Sequence, residues 1–294
     1  MSSSYHRSTW RCWWMLAPAG AVYGLFVIVP FLETVWLSFR ESSGLGLTSR
    51  WVGLANYRRA LQDAVLGRAL LNNATYGCIT LIVEVMLGLA LAVLIHRCRR
   101  GQTLYRITLA APLLIALVAS AILWRNLLGL NGPINTALQA FGLDSLARVW
   151  LGPERIVYAI SIMSGWAYCG FYMLLFSAGL QRVGQELREA ARLDGAEGWR
   201  LFWHIERPLL RPVLVVAVVL CVTGAFRVFD LFYVMVGASG VPEAEVAATW
   251  VVKSAFKFQE LGYAAAMAVL VAVLLAVLSA VLLRLVNRAK EVEL

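Results

Sequence analysis

The amino-acid sequence predicts an all-α, polytopic membrane protein with six transmembrane helices and both termini in the cytoplasm. Two observations lead to this class. Of the 294 residues, 61% are hydrophobic and 15% are charged, whereas soluble domains carry about 25% charged residues. In addition, runs of 18 or more residues without Asp, Glu, Lys or Arg are long enough to form transmembrane helices. Such runs occupy residues 12–32, 107–124, 156–181 and 261–283.

Six helices are predicted within a membrane domain of residues 13–283. The first predicted helix could be mistaken for a signal peptide. Its apolar stretch is too long for the apolar core of a signal peptide, and no small-residue cleavage site follows it, so we expect the helix to be retained. Two further spans are interrupted by charge, one by Glu84 and the other by Arg227 and Asp230. The predicted helices are about 13–38, 70–95, 107–124, 156–180, 212–234 and 262–283.

The distribution of Lys and Arg predicts the orientation. Cytoplasmic loops of membrane proteins are enriched in these residues. With the N-terminus inside, the inner segments hold 15 Lys and Arg in about 66 residues, and the outer segments hold 11 in about 97. Residues 1–12 and 284–294 are then cytoplasmic tails, and the net charge of +9 largely reflects this asymmetry. A nucleic-acid partner would need a basic face on a soluble domain, and we expect none.

Little in the sequence predicts catalytic or cofactor chemistry. The five cysteines form no CxxC pair, and in this topology none lies in an outer loop, so disulfides are not expected. The three histidines are scattered, which argues against a metal site. No GxxxxGK[ST] phosphate-binding loop occurs. We therefore expect no metal, no cofactor and no catalytic residue in this chain.

A charged segment, residues 182–211, separates the fourth and fifth predicted spans. It holds eleven charged residues in thirty, beside aromatic side chains. The pattern predicts a short helix, a turn at Gly195 and a second short helix that ends at Pro208 and Pro212. In that second helix Trp199, Phe202 and Trp203 share one face, which must be buried because so short a helix is unstable alone. Packing under the membrane bundle and docking of another protein are both compatible with this pattern.

The charged segment contains Glu189-Ala190-Ala191, Gly195, Ile205 and Pro208, and in this spacing it resembles the EAA motif of membrane subunits of binding-protein-dependent ABC importers. That motif reads EAA, three residues, G, nine residues, then I-x-L-P. Here it corresponds to Glu189-Ala190-Ala191, Gly195, Ile205 and Pro208, with Arg207 in place of the usual leucine.

The resemblance extends over nearly the whole chain and is to the sugar-importer branch, the maltose and glycerol-phosphate type. The stretches that carry it are WVGLANY (51–57), LGLALAVLIHR (87–97), LLFSAGLQ (174–181) and FRVFDLFYV (226–234). One departure is GASGVPE (237–243), which replaces the usual GGGP after the fifth helix.

The resemblance implies a function and an assembly. The protein would be a multi-pass permease subunit in the bacterial cytoplasmic (inner) membrane, forming a sugar pathway with a second, related permease. Two ATP-binding subunits would bind the ATP and Mg²⁺, and an extracytoplasmic binding protein would deliver the sugar. The charged segment would be the coupling helix that docks on the ATPase, through Glu189, Ala190, Ala191, Asp194, Gly195, Ile205 and Pro208. The alternatives are a secondary transporter or channel not driven by ATP and, less well supported, a membrane-embedded enzyme.

Four residues inside the spans are candidates for other roles. Glu84 is an intramembrane carboxylate, and such residues are functional candidates by default, although we favour a structural role in holding helices together. Arg227 and Asp230 lie three residues apart and are expected on one helix face, either as an internal ion pair or as a polar lining of the sugar path. Tyr233 is a candidate for stacking on a sugar ring.

The small residues Gly88, Ala92, Gly165 and Gly170 predict close helix packing.

Overall fold

The structure, a computed structural model, describes residues 16–43, 48–98, 100–236 and 242–291. Within these ranges the fold is helical, as predicted, apart from one antiparallel pair of short strands, β1 (Arg40–Ser43) and β2 (Thr48–Trp51). The predicted N-terminal tail, 1–12, and most of the GASGVPE stretch lie outside the described residues. The helices are, in chain order, α1 (Leu16–Ser38), α2 (Ala55–Gln62), α3 (Ala64–Arg97), α4 (Gln102–Ala110), α5 (Leu117–Leu127), α6 (Pro133–Ala140), α7 (Ile156–Gln181), α8 (Gln185–Leu193), α9 (Trp199–Arg227), α10 (Asp230–Val236), α11 (Ala247–Val252) and α12 (Leu261–Glu291).

Five of these helices, α1, α3, α7, α9 and α12, are long and apolar enough to cross a membrane. They correspond to the first, second, fourth, fifth and sixth predicted spans. Most of their ends lie within a few residues of the predicted ones. The larger differences are the start of α3 at Ala64, both ends of α9, at Trp199 and Arg227, and the end of α12 at Glu291. The membrane-protein class and the all-α fold are therefore confirmed, with five or six candidate spans in the described part of the chain.

The third predicted helix, residues 107–124, is broken in the structure. Helix α4 continues into a 3₁₀ turn, Ala111–Leu114, after which Ile115 and Ala116 are extended, and α5 then starts at an angle of 90°. Pro112 lies in the 3₁₀ turn, and a proline cannot donate the backbone hydrogen bond that a continuous α-helix needs. The pair α4–α5 forms a sixth span only if its two arms are counted together.

The described chain divides into two compact units, the first comprising the residues up to Asp63 together with Val251–Val273. In this unit residues of the WVGLANY stretch form hydrogen bonds with the chain at the end of α1. The side-chain amide of Asn56 donates to the carbonyl oxygens of Ser38, at 2.9 Å, and Arg40, at 2.8 Å. The hydroxyl groups of Ser38 and Tyr57 are 2.6 Å apart. The motif therefore has a local structural role, because Asn56 satisfies the Ser38 carbonyl, which the end of α1 leaves unpaired, and the Arg40 carbonyl at the start of β1.

The second unit comprises Ala64–Trp250 and the chain from Leu274. Helix α7 is its core, with most of its side chains buried between α3, α4 and α9. As predicted, glycines allow the helices to approach closely. A Cβ atom added to Gly88 would lie 2.7 Å from the Cβ atom of Tyr172, and one added to Gly165 or Gly170 would overlap Val83 or the backbone at Leu109.

Candidate functional site

The charged segment has the predicted helix–turn–helix order, and most of its motif residues are accessible. Helix α8 holds the Glu-Ala-Ala triplet, and the chain then turns at Gly195 before α9 begins. Among the motif positions one is buried, Ala191, and Ile205 is partly buried. The exposed ones are Glu189, Ala190, Asp194, Gly195 and Pro208.

The turn after α8 depends on the glycine. Gly195 has φ of +77°, a conformation that costs glycine little and strains other L-residues. The N–H groups of Asp194 and Ala196 donate to the carbonyl oxygens of Ala190, at 3.1 Å, and Ala191, at 2.8 Å. These bonds satisfy carbonyls at the end of the helix, as in glycine C-caps. A Cβ atom at Gly195 would meet nothing within 4 Å, so the requirement for glycine lies in the backbone angle alone.

The second half of the segment differs from the prediction. Instead of a short helix that ends at Pro208, α9 runs continuously from Trp199 through Pro208 and Pro212 into the bundle. A proline inside an α-helix normally clashes with the preceding turn. Here a π turn, Phe202–Glu206, lies directly before it, and the N–H of Arg207 bonds to the carbonyl of Phe202, five residues back. This wider turn accommodates Pro208, so the part of the charged segment from Trp199 onward and the fifth span form one helix.

The aromatic cluster is also only partly as expected. Trp199, Phe202 and Trp203 contact one another with ring centroids 5.4–5.8 Å apart. Phe202 is buried, but Trp199 is 63% exposed and Trp203 is 40% exposed. Of the three aromatic side chains that were predicted to be buried, only Phe202 therefore packs into the protein. The guanidinium of Arg207 lies 4.5 Å from the centre of the Trp203 ring. Arg207, at the position where the motif has leucine, therefore stabilises this cluster by a cation–π contact.

A cavity of about 500 Å³ lies inside the second unit, between α3, α7 and the end of α9. Its size is typical of small-molecule sites. Two stripes of polar side chains face it from neighbouring helices, at spacings of four residues that place them on one helical face. The stripe on α3 consists of Tyr76, Thr80 and Glu84, and the stripe on α7 of Ser164, Tyr168 and Tyr172.

The two stripes are joined by a chain of hydrogen bonds. The Tyr76 hydroxyl donates to Ser164 Oγ at 2.7 Å, and the Ser164 hydroxyl donates to Glu84 Oε1 at 2.6 Å. Glu84 is thus held between α3 and α7, consistent with the structural role that we favoured, and it lies in the cavity wall as well. The four-residue spacing in each span is the sequence pattern that would have identified Tyr76, Ser164 and Tyr172.

Arg227 and Asp230, which were predicted to form an ion pair or to line a sugar path in the fifth span, are arranged differently from the prediction. Helix α9 ends at Arg227, Val228 is extended, and α10 starts at Asp230. Arg227 and Asp230 therefore do not share a face of one helix, and among the described residues they form no ion pair with each other. Each sits at the helix end that favours its charge, a cation at a C-terminus and an anion at an N-terminus. Both line the cavity.

Tyr233 does not line the cavity. Its ring stacks on that of Phe229 with the centroids 5.0 Å apart. Phe229 lies in the break between α9 and α10, and it is this residue that lines the cavity. The aromatic groups that a ligand could contact are therefore Phe171, Phe229 and the tyrosines of the two stripes. Among the described residues, no group of three or more His, Cys, Asp or Glu side chains is placed to hold a metal ion.

Comparison with known proteins gives a family match. Residues 64–292 match the family described as the binding-protein-dependent transport system inner membrane component. The chain is 36% identical over 260 residues to the probable ABC transporter permease protein YurN of Bacillus subtilis, covering 87% of this chain and 89% of that protein. It is 32% identical over 260 residues to the trehalose/maltose transport system permease protein MalF of Thermococcus litoralis, covering 87% and 86%.

Solved structures share the fold. A chain of a bacterial ABC transporter involved in the import of the acidic polysaccharide alginate superposes with a TM-score of 0.85 at 21% identity, covering 96% of each chain. A second structure of a bacterial alginate ABC transporter, in complex with an alginate pentasaccharide-bound periplasmic protein, matches with a TM-score of 0.85 at 20% identity. At these identities the likeness concerns the fold alone.

Proposed function

Because the chain belongs to the family of inner membrane components of binding-protein-dependent transport systems and is a permease of an ABC importer, we propose that its substrate is a sugar or a sugar derivative. Family membership supports this class over the secondary transporter or channel considered above. Relatives named for trehalose and maltose, and for lactose, support a carbohydrate.

The observation that carries the substrate class is the chemistry of the cavity wall. Five hydroxyl groups and the Glu84 carboxylate line two facing helices, and the ring of Phe229 lies at a third side. A sugar presents many hydroxyl groups, each of which donates and accepts hydrogen bonds, together with a weakly polar ring face. Polar groups at fixed positions between apolar and aromatic surfaces are typical of sites for small ligands. Arg227 and Asp230 add a charge of each sign at the same wall.

We also propose the assembly in which this permease works. A second, related permease completes the pathway, two ATP-binding subunits hold ATP and Mg²⁺, and an extracytoplasmic binding protein delivers the sugar. An ATP-binding subunit binds the exposed residues predicted to dock on it, which are Glu189, Ala190, Asp194, Gly195 and Pro208. The charged segment is then cytoplasmic, and the chain itself carries out no hydrolysis. The similar transporter that was solved with a periplasmic protein supports the binding-protein part of this assembly.

The substrate class is tested by transport into proteoliposomes that contain the purified complex, with trehalose, maltose, lactose and alginate oligosaccharides as labelled probes. Tyr168→Phe removes a hydroxyl from the cavity wall, and Tyr158→Phe removes one from an exposed position on the same helix. We expect Tyr168→Phe to lower the transport rate of the preferred sugar by about tenfold, the effect of leaving one polar partner unpaired. Tyr158→Phe is expected to transport normally. Equal rates for both variants, or uptake of none of the sugars, would contradict the assignment.

A further inference from the structure

One arginine of the charged segment points into the protein. Apart from Arg188 and the buried Ala191, the side chains of α8 that the structure describes are exposed. The Arg188 side chain is only 15% exposed. A long cationic side chain is rarely buried unless it is paired. Arg188 is therefore placed differently from Glu186 and Glu189, the other charged residues of α8 whose side chains the structure describes.

The guanidinium of Arg188 contacts three membrane-spanning helices at once. Its Nη2 donates to the carbonyl oxygen of Leu180, at the end of α7, at 2.6 Å. Its Nη1 bonds to Nε2 of His96, near the end of α3, which accepts because arginine has only donors. Its Nε lies 3.3 Å from Oε1 of Glu206, in the π turn of α9. No other side chain of α8 has such contacts among those that the structure describes.

The chemistry of this junction is specific to arginine. The Glu206 side chain is 4% exposed, and a buried carboxylate needs a partner because removing one member of a buried pair leaves an uncompensated charge. A lysine at position 188 would keep the charge, but its single ammonium group cannot donate to the Leu180 carbonyl and to His96 and also lie beside the Glu206 carboxylate, as the planar guanidinium does. Arg188 therefore connects α8 to α3, α7 and α9 through one planar group.

We propose that Arg188 is the positioning residue that transmits movement of α8 to the membrane helices. The proposal rests on the proposed function, in which α8 docks on an ATP-binding subunit. When that subunit closes, the displaced α8 pulls on the ends of α3, α7 and α9 through the guanidinium. These are the helices that surround the cavity, so access to the cavity changes with them.

The test measures closure of the ATP-binding subunits and access to the cavity separately. Gly224 lines the cavity, and a Cβ there meets nothing within 4 Å, so Gly224→Cys in a cysteine-free background is a tolerated reporter. The purified complex, with its binding protein, is trapped with Mg-ATP and vanadate. Trapped nucleotide reports closure of the ATP-binding subunits, and the rate of labelling by a membrane-impermeant methanethiosulfonate reports access to the cavity.

In the parent complex we expect trapping to change the labelling rate by about tenfold, and Arg188→Lys to trap the same amount of nucleotide while the change falls below about twofold. Arg182→Lys, at an exposed arginine just before α8, is the matched control and should behave as the parent. Glu206→Gln keeps the shape of the side chain and is expected to give an intermediate change.

Two outcomes would overturn the proposal: a parent-like change in Arg188→Lys, or, if that variant does not assemble, a parent-like change in Glu206→Gln. Failure of the proposed function is recognised separately, because the parent complex itself would then bind no ATP-hydrolysing subunit or would show no change on trapping.

Discussion

The side-chain amide of Asn73 donates a hydrogen bond to the carbonyl oxygen of Ala225, 2.7 Å away, two residues before α9 ends. Its carbonyl oxygen accepts from the N–H of Ala247, 2.9 Å away, where α11 begins. Asn73 is fully buried. One side chain of α3 therefore satisfies two backbone groups that helix ends leave unpaired, directly beside the cavity.

Replacing Asn73 with leucine should lower the free energy of unfolding by about 2 to 4 kcal/mol, because two buried backbone groups lose their partners. Denaturant unfolding of the detergent-solubilised protein measures the change. Leu71→Ala, at an exposed position of the same helix, should change stability little. If Asn73→Leu is as stable as that control, the amide is not needed at the helix break.

Glu84 gives a prediction that separates hydrogen bonding from charge. Glu84→Gln keeps an oxygen that accepts from Ser164, so stability should be unchanged, whereas Glu84→Leu leaves the Ser164 hydroxyl without its acceptor and should cost about 1 to 3 kcal/mol. Thermal unfolding of both variants in the same detergent distinguishes them. A Glu84→Gln variant as unstable as Glu84→Leu would show that the ionised carboxylate itself is required.

Arg227→Ala and Asp230→Ala should each lower sugar transport more than they lower assembly of the complex. The two side chains line the cavity and are not paired with each other in the described structure, so their removal leaves no buried partner charge. Uptake and yield of the purified complex are the two measurements. Arg58→Ala, at an exposed position on α2, controls for loss of positive charge. Loss of assembly in both cavity variants would indicate a structural role instead.

Gly195→Val should abolish stimulation of ATP hydrolysis by the loaded binding protein, while membrane insertion survives. The positive φ at this residue costs a β-branched side chain about 1 to 3 kcal/mol of backbone strain, and the chain relieves that strain by changing the turn that orients α8. Gly195→Asn is the matched control, because asparagine tolerates this conformation. Full stimulation in Gly195→Val would contradict the role of α8 as the docking helix.

The orientation is tested by cysteine labelling after replacement of the native cysteines. Arg50→Cys on β2 is the outer reporter, and Glu197→Cys in the charged segment is the inner one, since both positions are exposed. We expect an impermeant reagent to label Arg50→Cys in intact cells and Glu197→Cys only after permeabilisation, because Lys and Arg concentrate on the cytoplasmic side. The reverse pattern would invert the topology.

Several features were predictable because they depend on local sequence. The length of an apolar run decides whether a helix can span a membrane, and this placed five spans within a few residues at most ends. The EAA stretch and its glycine turn were also recognisable, since a helix C-terminus followed by glycine has few alternatives. The break after Pro112 was not predicted, because the apolar run 107–124 indicates one helix despite its proline.

What the sequence determined by itself was the class of protein, the approximate spans and the position of the charged segment, because apolarity and turn residues act over short stretches of chain. The tertiary structure alone decided which polar side chains face inward. Arg188 and Arg182 are both arginines of the charged segment, yet only Arg188 contacts α3, α7 and α9 together. Tyr168 and Tyr158 lie on one helix, yet only Tyr168 lines the cavity. The physical reason is that the burial of a side chain depends on which neighbouring helix covers its face, and that is fixed by packing between residues far apart in the chain.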